Sequence, residues 1–213
     1  MKYKLVIFDW DGTMMDSAPR IGSSMQKAAE LAGLPAISFE QACNIIGLSL
    51  KEAGTALYPE ANQAQLDELA EHYRDQFRNH NKTPMPLFNG AKDLITELKH
   101  QGALLAVATG KSRRGLDKVL EEQNLSDWFV ASRTGTEAES KPSPDMINQI
   151  LAELNIDAQD ALMVGDTEYD LMMAKNAGVD SVGVSFGVHD VERLKKCGPI
   201  AIIDALPELL EWM

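Results

Sequence analysis

The run Leu5-Val6-Ile7-Phe8-Asp9-Trp10-Asp11-Gly12-Thr13 decides the fold. Four consecutive apolar residues, ended abruptly by a polar cluster, predict a short strand buried on both faces. Similar runs recur at 104–108, 161–164, 181–184 and 200–203. Between the later runs lie stripes at helical spacing: Ala91, Leu94, Ile95, Leu98; then Ile147, Ile150, Leu151, Leu154; then Leu206, Leu209, Leu210, Met213. Strands alternating with helices imply βα units on a parallel sheet, an α/β, Rossmann-like, doubly wound core. Gly102 follows the first of these helices, Ser143-Pro144 reads as an N-cap and first-turn pair, and Gly178 closes a helix starting near Glu168.

The alternation breaks once. Residues 17–86 contain no strand pattern, only stripes such as Ile21, Met25, Ala28, Ala29, Ala32 and Leu66, Leu69, Ala70, Tyr73, Phe77. The expected organisation is a core of residues 1–16 and 87–213 with a helical insertion of residues 17–86, whose far boundary is marked by Pro84, Pro86 and Asn89-Gly90.

Composition narrows the partners. The 213 residues carry 32 acidic and 20 basic side chains, a net charge of −12. Such a chain is repelled by nucleic acid and anionic lipid, so a small soluble metabolite fits better. No apolar run approaches the roughly 18 residues of a membrane span, and the start of the chain lacks a signal-peptide shape, so a cytoplasmic location is expected. Cys43 and Cys197 match no metal or redox spacing and read as isolated reduced thiols. The four histidines suggest no metal site, and nothing in the sequence fixes the oligomeric state.

Polar residues at the ends of three strands carry the chemistry: Asp9, Thr109 and Asp166. In open parallel sheets the carboxyl ends of the strands form the ligand site, so these residues should converge although far apart in sequence. In extended geometry Asp9 and Asp11 share one side and Trp10 turns away to pack. Two close carboxylates repel, which favours a shared proton or a cation, and hard oxygen ligands favour Mg²⁺. Gly12 permits a sharp turn, and Thr13 adds a hydroxyl and an amide. Thr109-Gly110-Lys111-Ser112 runs from strand to helix, where amides, a hydroxyl and an ammonium suit a phosphate dianion. A solvated surface position is an equal reading for Lys111, and a P-loop fails because Leu105 stands where that motif needs Gly. Asp170 follows Asp166 at helical spacing, although acidic residues are common at helix N-termini for dipole reasons alone. Gly47-Leu48-Ser49-Leu50-Lys51 reads either as a loop dipping over the site or as a plain turn between helices.

Asp9-x-Asp11-Gly12-Thr13, Thr109-Gly110, Lys141-Pro142 and Gly165-Asp166-x-x-x-Asp170 occur in order along essentially the whole chain. In this the sequence resembles the haloacid dehalogenase superfamily, in its phosphoglycolate-phosphatase-like branch, and the insertion looks like that branch's small α-helical cap. The resemblance implies a Mg²⁺-dependent phosphatase acting on a small phosphorylated metabolite, phosphoglycolate-like or a sugar phosphate. By the same resemblance Asp9 is the nucleophile that forms an aspartyl phosphate, and Asp11 is the acid and then the base. Gly12, Thr13, Thr109, Gly110 and Lys141 bind the phosphoryl group. Asp9, the Asp11 backbone carbonyl and Asp166 hold the metal, supported by Asp170. Asp11 argues against dehalogenation and phosphonate cleavage. The alternatives are a β-phosphoglucomutase-like mutase and, from another class, a non-catalytic phospho-acceptor switch, against which the large insertion weighs.

Overall fold

The structure is a computed structural model that describes residues 2–213. The first strand, β1 (Leu5–Phe8), is wholly buried and is followed by four helices: α1 (Ala18–Leu31), α2 (Phe39–Asn44), α3 (Leu50–Leu57) and α4 (Gln63–Asp75). A π-helical turn, Gln76–His80, ends this excursion. The chain then alternates: α5 (Ala91–His100), β2 (Leu104–Thr109), α6 (Arg113–Gln123), β3 (Ala131–Thr134), α7 (Asp145–Leu154), β4 (Ala161–Gly165), α8 (Glu168–Ala177), β5 (Asp180–Val184), α9 (Val191–Lys195) and β6 (Ala201–Ile203).

The six strands form one parallel sheet in the order β3-β2-β1-β4-β5-β6. The strand order therefore reverses between β1 and β4, and a ligand crevice opens at the carboxyl ends there. Alternation along β1 divides its side chains between two cores. Val6 and Phe8 join Leu94, Leu98, Leu116 and Leu206 on one face, whereas Leu5 and Ile7 join Met146, Ile147, Ile150 and Met173 on the other. The inserted helices have their own core around Met25, Ala28, Ile45 and Leu69.

Three local expectations are corrected. β3 matches none of the apolar runs; Ala131-Ser132-Arg133-Thr134 is an edge strand with only its two end residues buried, so it needs no such run. The helix after Ser143-Pro144 starts at Asp145, one residue later than expected, with Pro144 in the cap position, where its ring offers no side-chain cap; Ser143 Oγ accepts from Asp145 N–H (3.4 Å) and donates to Glu139. The terminal stripe forms a 3₁₀ helix, Leu206–Trp212, that buries Leu206 and Leu209.

The two crossings between sheet and insertion are tied to each other. Asp16 N–H donates to Pro86 O (2.8 Å), Phe88 N–H donates to Met14 O (3.0 Å), and Met15 pairs with Leu87 in an antiparallel bridge. Cys43 and Cys197 are both free and buried.

Candidate active site

Asp9 follows β1 directly, its N–H donating to Val164 O of β4 (2.9 Å), which places it at the reversal point of the sheet. The side chain is fully buried. Lys141, only 1% exposed, donates from one Nζ to Asp9 Oδ1 and to Asp170 Oδ1, each at 2.6 Å. Asp9, Asp166 and Asp170 bring carboxylate oxygens within 4.8 Å of one another.

Each partner in the cluster is held from behind. Asp166 accepts from Thr13 Oγ1 (2.9 Å) and Val188 N–H (2.9 Å). Asp170 sits at the third position of α8 in a capping box: its Oδ2 accepts from the Thr167 amide (3.0 Å) and hydroxyl (2.7 Å). The dipole account of this acid is thus half right, because one oxygen serves the helix and the other serves Lys141. Gly12, at φ 87°, passes so close that a Cβ there would lie 2.2 Å from Asp166 Oδ2.

Three carboxylates around one ammonium leave two uncompensated negative charges in a buried space, which is costly without a cation. Asp9 Oδ2 is buried and has no hydrogen-bond partner among the described residues. The oxygen donor set, the charge deficit and this orphaned atom together fit a hard divalent ion such as Mg²⁺. Titration points the same way. Burial, joined by the charges of Asp170 and Asp166, outweighs Lys141 and raises Asp9 well above the usual carboxylate range. Burial and Asp170 push Asp166 up to about 7 despite its donors. Burial opposes the Lys141 charge, but Asp170 and Asp9 prevail and raise the lysine.

Asp11 belongs to a different group. Its Oδ1 accepts from Ser17 Oγ (2.5 Å) and from Lys111 Nζ (2.8 Å), and its side chain lies at the wall of the cleft, apart from the three clustered acids. Lys111 is therefore no solvated lysine: its side chain is 7% exposed, and its ammonium lies 5.4 Å from the centre of the Phe77 ring. Ser17 is a partner of Asp11 that sequence reasoning missed, whereas Lys111, weighed equally as a phosphate-facing ammonium and a solvated lysine, is a buried partner of Asp11.

The expected phosphate-binding residues separate into donors and shapers. Thr109 is buried at the end of β2, and its Oγ1 accepts from Lys111 N–H (3.3 Å). Gly110 lies against the loop of the insertion, where a Cβ would meet Leu48 O at 2.4 Å and Gly47 O at 2.7 Å. Thr13 has committed its hydroxyl to Asp166, which leaves its amide. Gly12, expected among the phosphate binders, spends its N–H on Met15 O (2.9 Å), so its part is the turn.

The helical insertion covers this sheet edge. Gly47, Leu48 and Leu50 line the cleft together with Asp9, Asp11, Thr109 and Gly110, so the 47–51 segment dips over the site and also caps α3 through Ser49; Lys51 does not reach the cleft. Ser49 N–H donates to Ser140 Oγ (2.8 Å), and Asn44 meets Arg193 through its side chain and His189 Nε2 through its carbonyl (3.2 Å). His189 also accepts from Glu168 N–H (3.0 Å), a contact with no signal in the sequence.

The cleft has a volume of about 320 Å³. Its lining holds six of the 20 basic side chains, Arg20, Arg74, Arg78, Lys111, Arg114 and Lys118, but only three of the 32 acidic ones, Asp9, Asp11 and Glu122. An acidic protein thus concentrates positive charge where an anion would enter.

The family model for haloacid dehalogenase-like hydrolases matches residues 6–184. The chain belongs to that family. It is 30% identical to a phosphoglycolate phosphatase of Vibrio parahaemolyticus, with 98% of this chain and 95% of the relative covered. It is 33% identical to the Dickeya dadantii protein named "Probable phosphatase IndB", covering 97% of this chain and 91% of that one. Its fold matches the crystal structure of a haloacid dehalogenase-like hydrolase from Bacteroides fragilis with a TM-score of 0.91 at 25% identity, over 98% of this chain and 100% of that chain. This haloacid dehalogenase-like chain is an enzyme of the phosphatase type, in the phosphoglycolate-phosphatase-like branch, which sets aside the non-catalytic switch.

Proposed function

We propose that this phosphatase hydrolyses a small phosphate monoester, with phosphoglycolate and sugar phosphates as the first esters to test, through a phosphoryl group carried on Asp9. The observation that carries this reading is the division of the carboxylates: Asp9 has one oxygen fixed by Lys141 and the other without a partner among the described residues, while Asp11 lies at the wall of the cleft with Ser17 and Lys111.

Asp9 attacks phosphorus while Thr109, the Gly110 and Thr13 amides and Lys141 receive the equatorial oxygens. Asp11 protonates the departing alkoxide, and as a carboxylate it then takes the proton from the water that attacks the aspartyl phosphate. Lys141 holds Asp9 in line and offsets its charge. Residues Asp9 and Asp166, with the Asp11 carbonyl, would hold Mg²⁺, and Asp170 would support them; bound there, the ion supplies charge neutralisation for the transferring phosphoryl group. Residues 17–86 act as a cap that closes on the core 1–16 and 87–213, excluding water and so strengthening these contacts.

The test is a panel of phosphate esters assayed for released phosphate. Release should stop with EDTA and return with Mg²⁺. Full activity in metal-free buffer, or no release from any ester, would overturn the reading.

A further inference from the structure

Asp9, Asp11, Thr109 and Gly110 share the cleft with side chains of the insertion that the reading above does not use. Among them are apolar side chains that are only partly buried, Leu48, Leu50, Tyr73, Phe77 and Met85, interspersed with the cations Arg20, Arg74 and Arg78. The Tyr73 and Phe77 rings stack at 5.7 Å with 28° between planes, forming a rigid wall that projects from α4 and the π-helical turn. Arg20 holds that wall in place by donating twice to Phe77 O, at 2.6 and 3.1 Å, with its guanidinium 4.9 Å from the ring centre. The two rings thus present one apolar surface, held together within the insertion, to the cleft that also holds Asp9 and Thr109.

A volume of about 320 Å³ falls at the lower end of the ~300–1,000 Å³ of pockets that take drug-sized ligands. A phosphoryl group with a two-carbon acid is small for this volume and leaves the Leu48, Tyr73 and Phe77 side chains facing water. An ester with a larger apolar leaving group buries them, which is the favourable direction.

We propose that the preferred substrate is a phosphate monoester whose alcohol carries an apolar, ring-sized body, seated against Leu48, Tyr73 and Phe77, in preference to a two-carbon acid such as glycolate. This rests on the phosphatase reading above and narrows it to a class of leaving group.

The test compares benzyl phosphate with ethyl phosphate, whose alkoxides are leaving groups of similar quality, and with phosphoglycolate, all in Mg²⁺. In parallel, benzylphosphonate and ethylphosphonate, which cannot be hydrolysed, are titrated for binding. Benzyl phosphate should exceed both other esters in kcat/KM by about 10-fold or more, with the phosphonates ranked the same way in affinity. Phe77→Ala should then reduce the benzyl-over-ethyl ratio by about threefold or more. Equal kcat/KM for benzyl and ethyl phosphate, or a preference for phosphoglycolate, would overturn the proposal. No phosphate from any ester would overturn the phosphatase reading instead. The phosphonates would still decide about the chamber: tighter benzylphosphonate binding upholds the apolar seat, and equal binding refutes it.

Discussion

At the scale of single residues the site is a charge problem solved in part by Lys141. Asp9 and Asp166 are both pushed toward protonation by burial, Asp166 from 3.8 to about 7. A carboxyl group whose folded pKa is raised adds stability that is fully present below about 3.8 and is lost as pH rises through about 7. His189, lowered by burial, acts in the opposite sense over part of that window, so the informative quantity is a difference between metal-loaded and metal-free protein. Because a cation must displace the protons held by the acids, the rise in melting temperature produced by saturating Mg²⁺ should be several degrees larger at about pH 8 than at about pH 5. An equal rise at both pH values, read by scanning calorimetry, would contradict the assignment of these carboxylates. Trp10 belongs to this scale as well: as expected it turns away from the aspartates and packs edge-on against Phe129, with ring centres 6.0 Å apart.

Among elements, what matters is how the 47–51 loop sits on the end of β2. Gly110 leaves no room for a side chain beneath the Gly47 and Leu48 carbonyls. Gly110→Ala should therefore lift the cap loop and lower kcat/KM by about 10²-fold, the scale of an ångström-sized misplacement, with little change in melting temperature. Steady-state kinetics alongside thermal melts check this, and an alanine variant with unaltered kcat/KM would show that the loop does not need its close seat. The elements readable in the sequence are those whose side chains report their surroundings. β1, β2 and β4 are continuous apolar runs because both faces are covered, and Gly178 marks the end of α8 because that position is left-handed, at φ 70°. β3 escaped because an edge strand with Ser132 and Arg133 half-exposed has no such pattern. The convergence of Asp9, Thr109 and Asp166 followed from strand ends alone, whereas the Lys111 to Asp11 pairing depends on how two core loops meet, and the Asn44 contacts with Arg193 and His189 on how the cap lies over the core.

For the molecule as a whole, the cationic lining of the cleft contrasts with the net charge of −12, and the paired linkers are where the proposed cap would bend. Met14 and Asp16 are hydrogen-bonded to Phe88 and Pro86, with Met15 opposite Leu87 between them, so both crossings should respond together. Amide exchange in 14–18 and 84–90 should slow in both segments when vanadate and Mg²⁺ are bound; exchange unaffected in both would contradict a hinge at this place. All of these features serve one claim, that phosphorus passes through Asp9. The most direct measurement is rapid-quench mass spectrometry of the Asp11→Asn variant mixed with p-nitrophenyl phosphate and Mg²⁺. Nitrophenoxide departs without a proton, so the first step proceeds, while loss of the Asp11 base slows hydrolysis of the product. The account predicts a phosphoryl group on the peptide containing Asp9, and its disappearance when Asp9→Asn is added. Phosphate release with that peptide never labelled, or a label on another residue, would contradict it.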